Sequence, residues 1–180
     1  ESSSLAGKKL LTVDTQGPTV STVERYTPDG YFIQGDTIYI KVNFTDDLYT
    51  GDDIVTVTTA EGTPAITLEA REEGAIDPVA SYNSNLGSGA LRFRYIVGSF
   101  EESSRLDYVE TTSFVLNGGT IRDKAMNDAT LTLPTPGETG SLFHGANYVI
   151  DTDDPDIEKI TSTAANDRYK TGDVIPIIVD

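Results

Sequence analysis

At 180 residues, 37% of them apolar, the chain is long enough for one sizeable domain with pieces of its neighbours attached. Its net charge of −16, from 29 acidic against 13 basic residues, repels nucleic-acid phosphates and anionic membrane surfaces. No cysteine and one histidine exclude disulfides, thiolate metal sites and His-based catalytic relays, and no apolar run is long enough for a membrane-spanning helix.

In chain order, Glu1 to Ser4 lack the basic and apolar regions of a signal peptide, so an export signal, if the parent carries one, was removed or lies upstream. The first strong strand runs over 37–44, where Ile38, Ile40, Val42 and Phe44 alternate with polar positions on one face. Weaker strands are expected over 54–58 and 65–69, and 68–75 offers a short, uncapped helix. A strand over 79–82 leads to a hairpin tip at Gly87, Ser88 and Gly89, and then to the second strong strand, with Leu91, Phe93, Tyr95 and Val97 on one face. Leu106, Asp107 and Tyr108 predict a corner in which the tyrosine hydroxyl ties back to a neighbouring loop. Further strands are expected over 113–116, 129–133 and 147–150, with His144 in an exposed turn beside Gly145. Between them lie Pro, Gly, Asp and Asn turns such as Pro28-Asp29-Gly30 and Asn117-Gly118-Gly119. Seven to nine short strands in roughly 137 residues predict an all-β, antiparallel two-sheet β-sandwich.

Sliding the chain by 137 positions lays residues 4–43 over 141–180 without a gap, and ten of the 40 pairs are identical. They include Asp14/Asp151, Thr15/Thr152, Pro18/Pro155, Gly35/Gly172, Asp36/Asp173, Ile38/Ile175, Ile40/Ile177 and Val42/Val179, against roughly two or three expected by chance. The matches fall on turn residues and on one strand face. Residues 1–13 then read as the last strand of a preceding repeat or a linker, 14–150 as a complete repeat and 151–180 as the start of the next. The other reading of 151–180 is a segment exchanged between subunits by strand addition.

Several segments in this order carry a resemblance: Val13 to Pro18, Gly35 to Ile38, Val42 to Asp46, Leu91 to Tyr95, Leu116 to Ile121, Asp123 to Asn127 and Tyr148 to Thr152. The set resembles the bacterial immunoglobulin-like, cadherin-like tandem repeats of large surface proteins and adhesins. The resemblance implies an Ig-like sandwich, an extracellular or cell-surface location and a non-catalytic spacer or adhesive role. Adjacent repeats of the same chain are the implied partners, with other surface proteins or glycans as further ones. Where such repeats carry Ala-Gly-Asn, this chain has Ala125-Met126-Asn127, which sets a side chain at a turn position suited to glycine.

The densest chemical constellation is Asp151, Asp153, Asp154 and Asp156 around Pro155. Carboxylates this close repel unless a cation or solvent screens them, and Ca²⁺ seeks six to eight oxygens, so a structural Ca²⁺ joint and a hydrated acidic linker are the two readings. Asp123, Asn127 and Asp128 are candidate ligands from an adjoining loop. At the first junction Asp14 is kept, while Gln16, Gly17 and Thr19 stand where the second has Asp153, Asp154 and Asp156. Asp46, after the first strong strand, offers either a cation ligand or Asx-turn capping. A carbohydrate- or protein-binding module and a self-assembling filament subunit remain the alternatives to a spacer.

Overall fold

The computed structural model describes residues 13–71 and 76–180. In chain order the strands are β1 (Thr19–Arg25), β2 (Gly30–Phe32), β3 (Thr37–Thr45), β4 (Thr56–Thr58), β5 (Ala65–Glu69), β6 (Val79–Gly87) and β7 (Ala90–Ile96). After them come β8 (Asp107–Tyr108), β9 (Phe114–Val115), β10 (Thr120–Arg122), β11 (Tyr148–Ile150), β12 (Ile160–Thr161) and β13 (Ile178–Val179). A 3-10 turn at Gly51–Asp53 and one helical turn, α1 (Leu142–Gly145), supply the helix seen among the described residues. The fold is all-β. The short helix expected over 68–75 is not formed where it is described, since Leu68 and Glu69 belong to β5; residues 72–75 lie outside the described residues. So do 1–12, which hold most of the expected preceding strand.

Strict alternation makes β3 and β7 the centre of the sheet. Ile38, Ile40 and Val42 on β3, and Leu91 and Phe93 on β7, are fully buried, and antiparallel pairing sets Ile40 against Phe93 and Val42 against Leu91. The strand order is β1-β3-β7-β6-β5-β8, with β9 also on β5. In a flat sheet β9 would lie about 14 Å from β7, three strand spacings away. Instead the Phe114 ring on β9 stands edge-on to Phe93 at 5.2 Å and to Phe44 at 6.3 Å. The sheet therefore curls back over its own apolar face. Ile121 of β10, paired to β4, and Tyr148 and Ile150 of β11 complete the same core.

Sequence reasoning anticipated antiparallel pairing throughout, yet β11 runs parallel to β2, with Tyr148 opposite Gly30 and Ile150 opposite Phe32. Strand direction between distant segments has no local signature, because alternation looks the same in either sense. Two buried tyrosines fasten this region. Tyr108 Oη donates to the Pro134 carbonyl at 2.5 Å, the corner expected at that position, and Tyr148 Oη donates to the Thr27 carbonyl at 2.6 Å. Burial pushes the Tyr148 phenol up to about 12 and raises those of Tyr95 and Tyr108 as well. The unfolded phenols lose protons near pH 10 while the folded ones keep them. Stability is therefore expected to be intact below pH 10 and to fall as pH rises from 10 towards 12, which alkaline unfolding followed by circular dichroism will measure.

Residues 153–160 and most of those to 180 are exposed. Their geometry nevertheless copies that of the body, 137 positions earlier. Ile160 pairs with Val179 and Thr161 with Ile178, as Val23 pairs with Val42 and Glu24 with Lys41. Lys170 N donates to Asp173 Oδ2 at 2.8 Å, as Ile33 N does to Asp36 Oδ2 at 3.0 Å. Gly172 has φ 97° and Gly35 φ 92°, a region where an L side chain is strained.

Candidate metal centre

Three aspartates, far apart in sequence, meet at the end of the body where the chain enters it. Asp14 lies in the linker before β1, and its Oδ1 accepts from Gln16 N at 3.0 Å. Asp46 directly follows β3, and its Oδ1 accepts from Leu48 N and Tyr49 N, each at 2.8 Å. Both are Asx turns, which use one carboxylate oxygen and leave the other.

Asp123 follows β10 and is 1% exposed. Its Oδ1 accepts from Asn127 N and its Oδ2 from Asn127 Nδ2, both at 2.8 Å. The same amide nitrogen donates to the Gln16 carbonyl at 3.1 Å, so Asn127 ties the entering linker to the Asp123 loop. The fit there admits only glycine at position 17, because a Cβ would stand 1.9 Å from the Asp128 carbonyl oxygen. Thr130 N then donates to the Pro18 carbonyl at 2.8 Å.

Ligand oxygens of Asp14, Asp46 and Asp123 all lie within 4.8 Å of one another. Two oxygens on opposite sides of one Ca²⁺ are about 4.6–5.2 Å apart, so the three fit around a single ion of that size. Asp14 Oδ2 and Asp46 Oδ2 are buried and have no hydrogen-bond donor. A buried carboxylate oxygen without a donor is costly, and three negative groups at this spacing add mutual repulsion. The nearby cations are engaged elsewhere: Lys124 with Asp53 at 2.8 Å, Arg122 with Asp128 at 2.6 Å. Tyr49 reports the same field, since burial raises its phenol and the Asp14, Asp123 and Asp46 carboxylates raise it further. An all-oxygen, trianionic donor set suits a hard cation, with water or backbone carbonyls completing the shell.

Of the other candidate ligands, Asn127 is the clamp just described, while the Asp128 carboxylate pairs with Arg122. Asp151, Asp153, Asp154 and Asp156 stand exposed at the exit from the body, and none joins the triad. Asp151 repeats the turn of Asp14, accepting from Asp153 N at 3.2 Å. The partners proposed for Asp151 from the adjoining loop, Asp123 and Asn127, serve Asp14 and Gln16 instead. The residue that sequence reasoning missed is Glu101, 3% exposed, which receives Tyr95 Oη at 2.5 Å and Gly98 N at 2.6 Å. Its own N–H donates to Thr152 Oγ1 at 3.0 Å, anchoring the exit linker.

Met126 carries the backbone strain anticipated from the Ala125-Met126-Asn127 turn, with φ 73° and the side chain 66% exposed. Met126→Gly is expected to stabilise the fold by about 1 kcal/mol, because the left-handed conformation costs an L side chain about that much. Chemical denaturation of the two chains checks it; a destabilised variant would contradict the strain. Comparison with protein-family models, with curated proteins and with solved structures finds no match for this chain.

Proposed function

We propose that this chain is a spacer in a secreted or cell-surface protein, built from tandem Ig-like, cadherin-like β-sandwiches, with Ca²⁺ at Asp14, Asp46 and Asp123 stiffening the joint where the linker enters. The observation that carries the reading is the recurrence of β1–β3 pairing in β12–β13 at the same register, 137 positions on. Val23, Ile38, Ile40 and Val42 are at most 1% exposed, whereas their counterparts Ile160, Ile175, Ile177 and Val179 are 45–65% exposed. Residues 151–180 thus have the conformation and apolar face of an opening hairpin whose core is supplied by a further copy of the fold. On this reading Asp151 stands to the next copy as Asp14 stands to this one. The same exposed hairpin would serve the alternative reading of 151–180, addition to the sheet of another chain.

The cation part of the proposal rests on the two orphaned oxygens and the span of the triad. Adding Ca²⁺ at about a hundredfold its dissociation constant is expected to stabilise the fold by about 2.7 kcal/mol. For a chain of this size that raises the melting temperature by roughly 5–10 °C relative to chelator. In Asp46→Asn the rise should shrink, and in wild type Ca²⁺ should lower the pH at which Tyr49 ionises by cancelling the field of the triad. Melting and phenolate absorbance read both. Curves that superimpose with Ca²⁺ and with chelator would remove the cation from the proposal.

A further inference from the structure

We infer that the outward face of β7 is a docking surface for the acidic linker of a second copy of this chain. The inference is independent of the cation site. In the body, Arg25, Lys41, Arg71, Arg122 and Lys124 are each paired with a carboxylate. Arg105 donates to the Ala146 carbonyl and lies over the Phe143 ring. Among the described residues Arg92 and Arg94 have no carboxylate partner, although the chain holds 29 acids. Alternation turns both outward, because Leu91, Phe93 and Tyr95 fill the core. Register sets Arg92 opposite Lys41 and Arg94 opposite Tyr39. Three cations thus share adjacent positions, and among the described residues only Glu24, bound to Lys41 at 2.7 Å, balances them. Like charges directly opposed across strands are destabilising, so this face costs stability unless an anion joins it.

The face is also prearranged. The Arg92 guanidinium lies over the Tyr39 ring at 4.9 Å and the Tyr26 ring at 5.3 Å, and its Nε donates to Asn83 Oδ1 at 2.9 Å. Such stacking fixes the charge at little further entropic cost on binding. Arg94 is exposed, and its guanidinium makes no hydrogen bond or ion pair among the described residues.

The chain itself carries the complementary strip. Asp154, Asp156 and Glu158 are exposed in a segment without regular structure. Pro155 holds itself and Asp154 extended, which sets Asp154 and Asp156 on one side at a spacing of about 6.6–6.8 Å. Outward side chains along β7 repeat at the same interval. Two of the acids therefore meet Arg92 and Arg94 in step. Joining a sheet face on one copy to a linker on the next is a heterologous contact, which builds an open array where the rotation does not close a ring.

Sedimentation velocity with chelator present separates this from the cation reading. In about 0.15 M salt the Debye length is about 8 Å, short enough to screen the repulsion between two chains of like net charge yet not contact pairs. Concentration-dependent association is expected there and should vanish in about 1 M salt, where the length falls to about 3 Å. Arg94→Glu removes an exposed pairing and sets a like charge in its place, and should weaken association roughly tenfold. A chain with Arg92→Glu and Arg94→Glu, and another with Asp154→Arg, Asp156→Arg and Glu158→Arg, should each stay monomeric alone and associate when mixed, with circular dichroism unchanged. A wild type monomeric at both salt concentrations, or association indifferent to Arg94→Glu, overturns the proposal. So does failure of the mixture to associate, or capture of an acidic polysaccharide by Arg92 and Arg94 without self-association.

Discussion

Glu101→Ala is expected to cost about 3–5 kcal/mol, because it leaves two donors without an acceptor at about 1–3 kcal/mol each and loosens a half-buried ion pair. The side chain is 4% exposed and meets Arg71 Nη2 at 3.4 Å while its other oxygen receives Tyr95 Oη and Gly98 N. Alanine leaves the hydroxyl of a tyrosine that is 1% exposed without an acceptor, strands the Gly98 N–H and uncovers a guanidinium whose Nε already lacks a partner. Glu101→Gln keeps an acceptor in place and should lose less than half as much. Urea unfolding of the three chains measures this. An alanine variant within about 1 kcal/mol of wild type would show that water fills the site and that these bonds contribute little.

Phe93→Ala is expected to be comparably damaging, at about 3–5 kcal/mol, for a different reason. Phe93 is fully buried in β7 and its ring is edge-on to Tyr82 at 6.0 Å and to Phe114 at 5.2 Å. With Phe44 it is where the curled sheet touches itself. Removing it opens a cavity between β7 and β9 that neither strand can fill alone, since each is held in register by other ladders. Domains are stable by about 5–15 kcal/mol, so the loss is a large share of the total. Phe93→Leu, which keeps most of the volume, should recover much of it; equal losses for the two variants would mean that the ring contacts are not what joins the two halves.

Alternation made β3, β7 and the direction of their core faces legible, and Tyr108 was legible because a corner needs a tyrosine beside a turn. The helical turn α1 was not, since four residues give no periodicity; only Ser141, whose Oγ accepts from His144 N, marks its start. The exposed position of His144 was still anticipated. At the candidate metal centre, density of charge was not the signal. Four aspartates within residues 151–156 draw attention, whereas the triad draws single aspartates from three segments that meet only in the fold. A usable signal was present: Asp123 and Asn127 are spaced so that one loop returns an amide to its own carboxylate. Glu101 escaped because, beside Glu102 in a polar run, nothing in the local pattern distinguishes a buried acid from a solvated one.

The parallel pairing of β11 with β2 bears on how the body yields when its ends are pulled. Once β1 has come away from β3, tension from the entering linker reaches β2 at Gly30, and tension leaving through Asp151 acts at Ile150, at opposite ends of the paired segment. The two strands are then drawn past each other lengthwise, so the bonds of the ladder share the strain and fail together instead of opening one by one like a zip. Rupture should therefore be abrupt and require more force than peeling the antiparallel β12–β13 hairpin, whose open end lies at residues 158–160 and 179–180.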